Sequence, residues 1–452
     1  MGDAAGSPAD TPDVAEAAAA PVDAERSAVQ ERARGWGGGN RLIAAAGVSA
    51  LGDGLRATAL PLLAVTYTTD PALLALVTVA GTVPMLLSPL AGVAADRWPR
   101  RALMVWLDVG RAVIVGLVAL LVWTESADLA VLYAAAFLLG VGETVFGITA
   151  QAYLPEVVPE ARLTAANGRL QAVQLIFLDT VGQPLGGLLF AVSAALPFLL
   201  DAASFAIGVM VLLTVQSLSA SAAKSAATSA AGTGTGIGTG SAPKQPGWGE
   251  MVRDGFRYLR GDRLLMLLAV MLGWLNFFFA GVSAILVLYV LEVLDLGKTA
   301  YGFFLAVAAL GGLVGGLAAS RLRERFGTFP VVSTALLALG AACLLMGLVH
   351  NPVAGVAGFF ALNLAAVVYQ ALTVAFRQTT VPREVIGRIN GVYRLIGTGG
   401  APLGAVCAGL VAGQTEVWTP FVVSGAALLL LAAVTWRPLQ RLGGQRGAEA
   451  GS

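Results

Sequence analysis

The chain has 452 residues, of which 57% are apolar and 12% charged, with 28 Lys and Arg against 27 Asp and Glu for a net charge of +1. A composition this apolar excludes an ordinary soluble globular protein and places the chain in a membrane. The balanced charge, with no basic face, gives no support for nucleic-acid binding, and the absence of a G-x-x-x-x-G-K-[ST] pattern argues against ATP-driven work by this chain.

A spanning helix needs roughly 20 apolar residues. Twelve such runs can be placed, at about 41–67, 72–96, 102–123, 128–152, 165–192, 196–216, 264–291, 299–320, 329–349, 353–376, 386–412 and 417–436. The expected organisation is a disordered cytoplasmic tail (1–38), an N-terminal six-helix bundle (39–216), a flexible Ser/Ala/Gly/Thr linker (217–247), an amphipathic interfacial helix (248–263), a C-terminal six-helix bundle (264–437) and a cytoplasmic tail (438–452). Basic residues crowd alternate connections, while the others hold only Lys298, so the positive-inside rule puts both termini in the cytoplasm.

The first span carries Asp53 and Arg56. Asp53 lies twelve residues beyond Arg41, roughly 18 Å into the bilayer at 1.5 Å per residue, and Arg56 shares its face three residues on. Charges at that depth pair or face a wet cavity, so this is either a functional pair or a structural ion pair that fixes span 1 against a neighbour.

Between spans 2 and 3 lies Gly92-Val93-Ala94-Ala95-Asp96-Arg97-Trp98-Pro99-Arg100-Arg101. So short a basic connection makes its two helices adjacent and antiparallel. A weaker copy, Gly316 to Arg325, joins spans 8 and 9, with Arg321 and Arg325 retained and Ser320 at the Asp96 position. Asp108 and Arg111 follow on span 3, near the basic turn, and read more as a gate or structural network than as a substrate site. Glu143 on span 4, beside Gly140, Gly142 and Gly147, is a second ionisable site expected to point into the bundle.

Span 5 runs through Gln174, Asp179 and Gly182-Gln183-Pro184-Leu185-Gly186-Gly187. Its proline removes a backbone donor and bends the helix, and its glycines let other helices approach closely. Asp201, near the outer end of span 6, reads as structural. In the second half, Asn276 and Phe278 on span 7 and Tyr369 and Gln370 on span 10 are candidates to line a cavity for a bulky ligand, although a dense aromatic run more commonly faces lipid or core. Gly400-Ala401-Pro402-Leu403-Gly404 on span 11 echoes Gly182 to Gly186, and Arg377 to Pro382 echoes Ala150 to Pro155. Arg394 stands where span 5 has glutamines, so carboxylates concentrate in the first half. Cys343, Cys407 and His350 have no metal-ligand or disulfide spacing, and no cofactor is expected.

Gly92, Asp96, Arg97, Arg100 and Arg101 resemble the G-x-x-x-D-R-x-x-R-R loop of the major facilitator superfamily, and Gly182, Pro184, Gly186 and Gly187 resemble the helix 5 signature of its antiporters, with Gln183 departing from it. With the stretches Leu51–Gly54 and Pro197–Asp201, the resemblance is to the branch that holds enterobactin exporters and macrolide-efflux proteins. It implies an all-α integral membrane fold of 12 helices in two pseudo-symmetric six-helix bundles around a cavity, with no enzymatic activity. It also implies a monomer in the cell membrane that works on a small-molecule substrate, protons and surrounding lipid.

The expected function is export of a bulky amphipathic molecule, a drug or siderophore-like metabolite, by proton antiport; the alternatives are import or facilitated diffusion of a metabolite, and a membrane sensor or enzyme. Asp53, Asp179 and Glu143, in that order, are the expected proton carriers, with Arg56 and Arg111 as counter-ions. Asp96 is expected to latch against the start of span 11 near Arg383.

Overall fold

The computed structural model of the chain describes residues 14–215, 248–381 and 386–451, and every regular element among them is helical. The linker read at 217–247 and Arg383 lie outside the described residues, as does the side chain of Arg394. The first half contains α1 (Val14–Tyr67), α2 (Pro71–Thr82), α3 (Ser88–Arg97), α4 (Arg100–Trp123) and α5 (Leu129–Val157). It continues with α6 (Leu163–Leu175), α7 (Gln183–Val192) and α8 (Leu196–Thr214). The second half contains α9 (Trp248–Gly261), α10 (Arg263–Leu288), α11 (Lys298–Phe326), α12 (Thr328–Leu348), α13 (Pro352–Thr380), α14 (Ile386–Gln414) and α15 (Thr419–Gly451).

Short polar residues start the spans where the apolar runs begin. The Asp70 carboxylate accepts from the Ala72 N–H ahead of Pro71, Asp128 accepts from Val131, and Asn351 accepts from Ala354 ahead of Pro352. Each cap satisfies a backbone donor that the helix itself leaves open, and proline at the first position has no donor to lose.

Eleven of these helices are long and apolar enough to cross a membrane, and a twelfth span is broken, with 71–87 and 90–97 bent by 57°. Pro84 and Pro89 fall at this break, where each removes a donor from the helical ladder. Span 5 is also interrupted: α6 and α7 are joined by a π-helical turn, Ile176–Gly182, and another π turn, Tyr289–Val293, ends span 7. The tail read as disordered over 1–38 is helical from Val14, in keeping with its high content of Ala, Glu and Arg, which favour helix intrinsically. The segment read as a cytoplasmic tail over 438–452 continues α15 as far as Gly451.

Within the halves, α8 packs on both α1 and α4, α10 on α14, and α11 on α13. Contacts between the halves concentrate at the end remote from the basic turns, where α2 meets α14 and α7 meets α11. These crossings are made at backbone distance. A methyl added at Gly187 would stand 2.6 Å from the Gly302 Cα, and one at Gly409 would stand 2.9 Å from the Pro71 carbonyl oxygen. Ala75, Ala284 and Ala405 fill the gap beside them, and the Lys298 ammonium lies 5.8 Å from the centre of the Phe190 ring across the seam. Small residues allow this approach because only van der Waals packing and buried polar bonds, and no hydrophobic drive, join helices in lipid.

Candidate functional site

Six ionisable side chains from four helices meet inside the first half. Asp53 and Arg56 lie one turn apart on α1, Asp108 and Arg111 one turn apart on α4, Glu143 on α5 and Asp201 on α8. Asp53 is at the centre: the Arg111 Nη2 reaches both its oxygens at 2.7 and 2.8 Å, and the Arg56 Nη2 lies 2.5 Å from Oδ1. Arg56 turns its Nε to Asp201 at 3.1 Å, and Arg111 turns its Nη1 to Asp108 at 3.3 Å. The Arg111 guanidinium also stands 4.1 Å from the centre of the Phe205 ring. The two acid–arginine pairs that read as separate features are one network.

Glycines make the network possible by bringing helices close. A methyl at Gly142 would stand 2.9 Å from the Arg111 side chain, and one at Gly52 would overlap Ser204 and Asp201. Asp201, read as structural, is fully buried and bound to the same arginine as Asp53. The signal for it was an acid within an apolar span that has no basic residue of its own. Its position near the helix end obscured it, because the sequence does not state how deeply neighbouring helices are staggered.

Four carboxylates face two guanidiniums in this cluster. Asp53, Asp108 and Asp201 are almost wholly enclosed, whereas the Glu143 side chain is 46% exposed and lies 3.9 Å from the Arg56 Nη2, beyond hydrogen-bonding distance. The Asp108 Oδ2, Asp201 Oδ1 and Ser49 Oγ have no hydrogen-bond partner in the protein. With all four acids ionised the cluster would hold two negative charges more than its cations balance. Buried charge without a counter-charge is costly, so the arrangement favours taking up protons or a cation at its open edge. That edge borders a cavity of about 270 Å³ reached by Asp53, Arg111, Glu143, Gln151 and Gln174, with Met85, Phe146 and Leu178 as its apolar walls.

Asp179 does not join the cluster. The interposed π turn carries it on α6–α7, where its carboxylate accepts from the Gln183 Nε2 at 2.8 Å. Gln183, the residue that departs from the antiporter signature, is therefore this acid's partner. The signature glycines face neighbouring backbones: Gly182 faces Gly54 and Gly186 faces Leu55 on α1, Gly187 faces Gly302 on α11, and Gly400 and Gly404 face Gly273 and Phe277 on α10. Pro184 opens α7, and Pro402 lies inside α14.

The basic turn is tighter than a loop, since helix continues to Arg97 and resumes at Arg100 around Trp98 and Pro99. Arg100 binds Glu156 at 2.7 Å and the Ala152 carbonyl at 3.0 Å, and Arg101 donates to the Leu212 and Leu213 carbonyls. The turn is thus tied to α5 and α8 of its own half. Asp96 is exposed, with Arg100 at 3.5 Å, and Gly92 is half-buried. Arg97, Arg321 and Arg325 are exposed.

In the second half, Asn276 donates to the Leu272 carbonyl one turn back, and Phe278 stacks on Trp274. Gln370 is exposed, but Tyr369 is not a lining residue: it is fully buried in the core of its half, because it falls on the α13 face with Leu362, Ala365 and Leu372. Among the described residues, the charged cavity is lined by the first half.

The family profile of the Major Facilitator Superfamily matches residues 42–405. The chain is similar to the multidrug efflux pump Tap of Mycolicibacterium fortuitum, with 24% identity over 87% of this chain and 93% of that protein. It is also similar to the enterobactin exporter EntS of Escherichia coli O127:H6, with 30% identity over 186 residues. That second match covers 39% of this chain and less than half, 42%, of EntS. Among solved structures, a bacterial homologue of the iron transporter ferroportin in its inward-facing state superposes with a TM-score of 0.65 over 88% of this chain and 98% of that one, at 18% identity.

Proposed function

Because the chain belongs to the Major Facilitator Superfamily, and is thus a multi-pass membrane transporter of small molecules rather than an enzyme, we propose that it exports a bulky amphipathic molecule, a drug or siderophore-like metabolite, in exchange for protons. The observation that carries this reading is Glu143. It is the one acid of the buried cluster that is half open to the cavity, and it stands just beyond bonding distance of Arg56.

A carboxylate placed between water and an unsaturated arginine has two stable arrangements: protonated towards the cavity, or ionised towards the guanidinium. A proton bound from outside and released inside through this exchange drives substrate in the opposite direction. Asp53, clamped by two guanidiniums, is then the fixed counter-ion and not the carrier, and Asp179 is a secondary site held by Gln183. The similarity to Tap and EntS over different shares of the chain supports the direction and the kind of cargo.

On this reading the protein sits in the cell membrane as a monomer with both termini in the cytoplasm, an orientation that the distribution of basic turns supports under the positive-inside rule. The contacts between α2 and α14 and between α7 and α11 then close the outer side, so the conformation is the one open inwards. Rocking the halves opens that seam, and the exposed Asp96 latches the opposite state.

The test is proton flux in everted vesicles challenged with macrolides, other amphipathic drugs and catecholate siderophores. Substrate-triggered proton release in the native protein, absent in a folded Glu143→Gln variant that still exchanges substrate, is the expected result. If Glu143→Gln keeps uphill transport, Glu143 is not the carrier; if no compound moves protons, the export reading fails.

A further inference from the structure

A second cavity, separate from the charged one, lies between α11, α12 and α13 at the basic end of the second half. It measures about 370 Å³, larger than the charged cavity, and runs from Phe326 at its mouth to Ala338 at its far end. Its floor is made of small residues, Ala335 and Ala365, and its sides of Leu322, Phe326 and Leu364. Thr334 is the only hydroxyl on it, and that group donates to the Pro330 carbonyl one turn back at 2.9 Å, so nothing in the groove seeks a polar partner.

The mouth has the opposite character. The last two turns of α11 present Arg321, Arg323 and Arg325, all exposed, against a single acid, Glu324, and no ion pair joins any of the three among the described residues. Arg325 lies 5.3 Å from the centre of the Phe326 ring, so its guanidinium is held beside the side chain that forms the lip. The position follows from the turn: one residue, Gly327 at φ +83°, separates α11 from α12, so the arginine-bearing end of α11 adjoins the wall that Leu322 and Phe326 give the groove.

We propose that this groove is a binding site for one anionic phospholipid, with an acyl chain along the alanine floor and the phosphate at Arg325 and its neighbours. An apolar trough a little over two helical turns long, roughly 12 Å from Pro330 to Ala338, suits part of a hydrocarbon chain and offers nothing to a polar solute. Guanidinium groups bind phosphate through several N–H donors at once, and a leaflet with anionic headgroups meets basic residues at this depth. The site also bears on the transport cycle, because α11 carries Gly302, the crossing point with α7, and packs backbone-close on α13 through Gly311 and Gly315. A lipid seated in the groove between α11 and α12 therefore bears on the tilt of the helix that closes the opposite end. The inference is independent of which solute the transporter carries.

The experiment is native mass spectrometry of the full-length protein purified from membranes and re-equilibrated with phosphatidylglycerol or phosphatidylcholine. One phosphatidylglycerol should stay bound where phosphatidylcholine is lost. Arg325→Gln, an exposed position that leaves folding untouched, should weaken retention roughly tenfold, and Ala338→Phe, which fills the far end from an exposed site, should abolish it. Equal retention of the two lipids, or undiminished phosphatidylglycerol in both variants, overturns the proposal. Retention of detergent alone in the native protein, an adventitious additive only, overturns it as well.

Discussion

Laying Ala150–Pro155 of the first half on Arg377–Pro382 of the second sets Glu143 opposite Gln370. Both side chains are exposed to a comparable degree in the middle of their helices, yet one can carry a charge and the other cannot. The difference extends through the bodies of the halves. Among the described residues, every buried charged side chain, Asp53, Arg56, Asp108, Arg111 and Asp201, belongs to the first half. The buried polar side chains of the second half, such as Ser333, Thr373 and Ser424, are neutral. The Thr373 hydroxyl returns to the Tyr369 carbonyl of its own helix at 2.8 Å, Ser333 accepts from Gln440, and the core is closed by aromatics such as Tyr289 against Phe421. One architecture has thus been filled twice, once around a buried ion network and once around a neutral core.

The strongest way to break this comparison is to remove the shared anion. Asp53→Ala removes the acceptor shared by the Nη2 groups of Arg56 and Arg111, leaving both buried donors without a hydrogen-bond partner, and should cost about 3–5 kcal/mol, seen as loss of monodisperse protein or a large drop in unfolding temperature. In the second half, Tyr289→Phe deletes a buried hydroxyl that donates to the Met346 carbonyl at 2.8 Å and should cost only about 1 kcal/mol. Equal losses in the two variants would mean that the ion network adds nothing to the first half beyond ordinary packing.

A second test acts at the seam. Gly187→Val places a branched side chain against the Gly302 backbone, so the closed end should be wedged open and the cavity at the basic end narrowed. A cysteine at Gln151, in a background lacking Cys343 and Cys407, should then react roughly tenfold more slowly with an impermeant maleimide applied from the basic side. Unchanged labelling would show that this crossing does not set the conformational balance.

The smallest expected change in stability is at the latch. Asp96 is largely exposed and meets only Arg100, at 3.5 Å, so Asp96→Asn should alter unfolding by less than about 0.5 kcal/mol. Its effect should appear in transport rate and in faster labelling of the Gln151 cysteine, because the state it latches is the other one. If both stay at native values, the latch assignment is wrong.

The sequence by itself determined the class of the molecule and much of its segmentation. Uninterrupted apolar runs in a membrane protein can only be helices, since lipid offers no partner to an open backbone, and the caps at Asp70, Asp128 and Asn351 fall where those runs begin. Pairs within one turn were legible too: Asp53 with Arg56 and Asp108 with Arg111 follow from helical periodicity alone. The tertiary structure decided how those pairs are shared. Whether Arg111 binds its own neighbour or Asp53, whether Asp201 is structural or part of the network, and whether Asp179 joins it all depend on helix stagger and rotation. Glycine contacts at Gly52 and Gly142 and the π turn before Gln183 fix both. A π turn rotates the residues that follow it relative to an unbroken helix, and no local pattern in the chain announces it, so the face on which an acid lands is a property of the packed bundle.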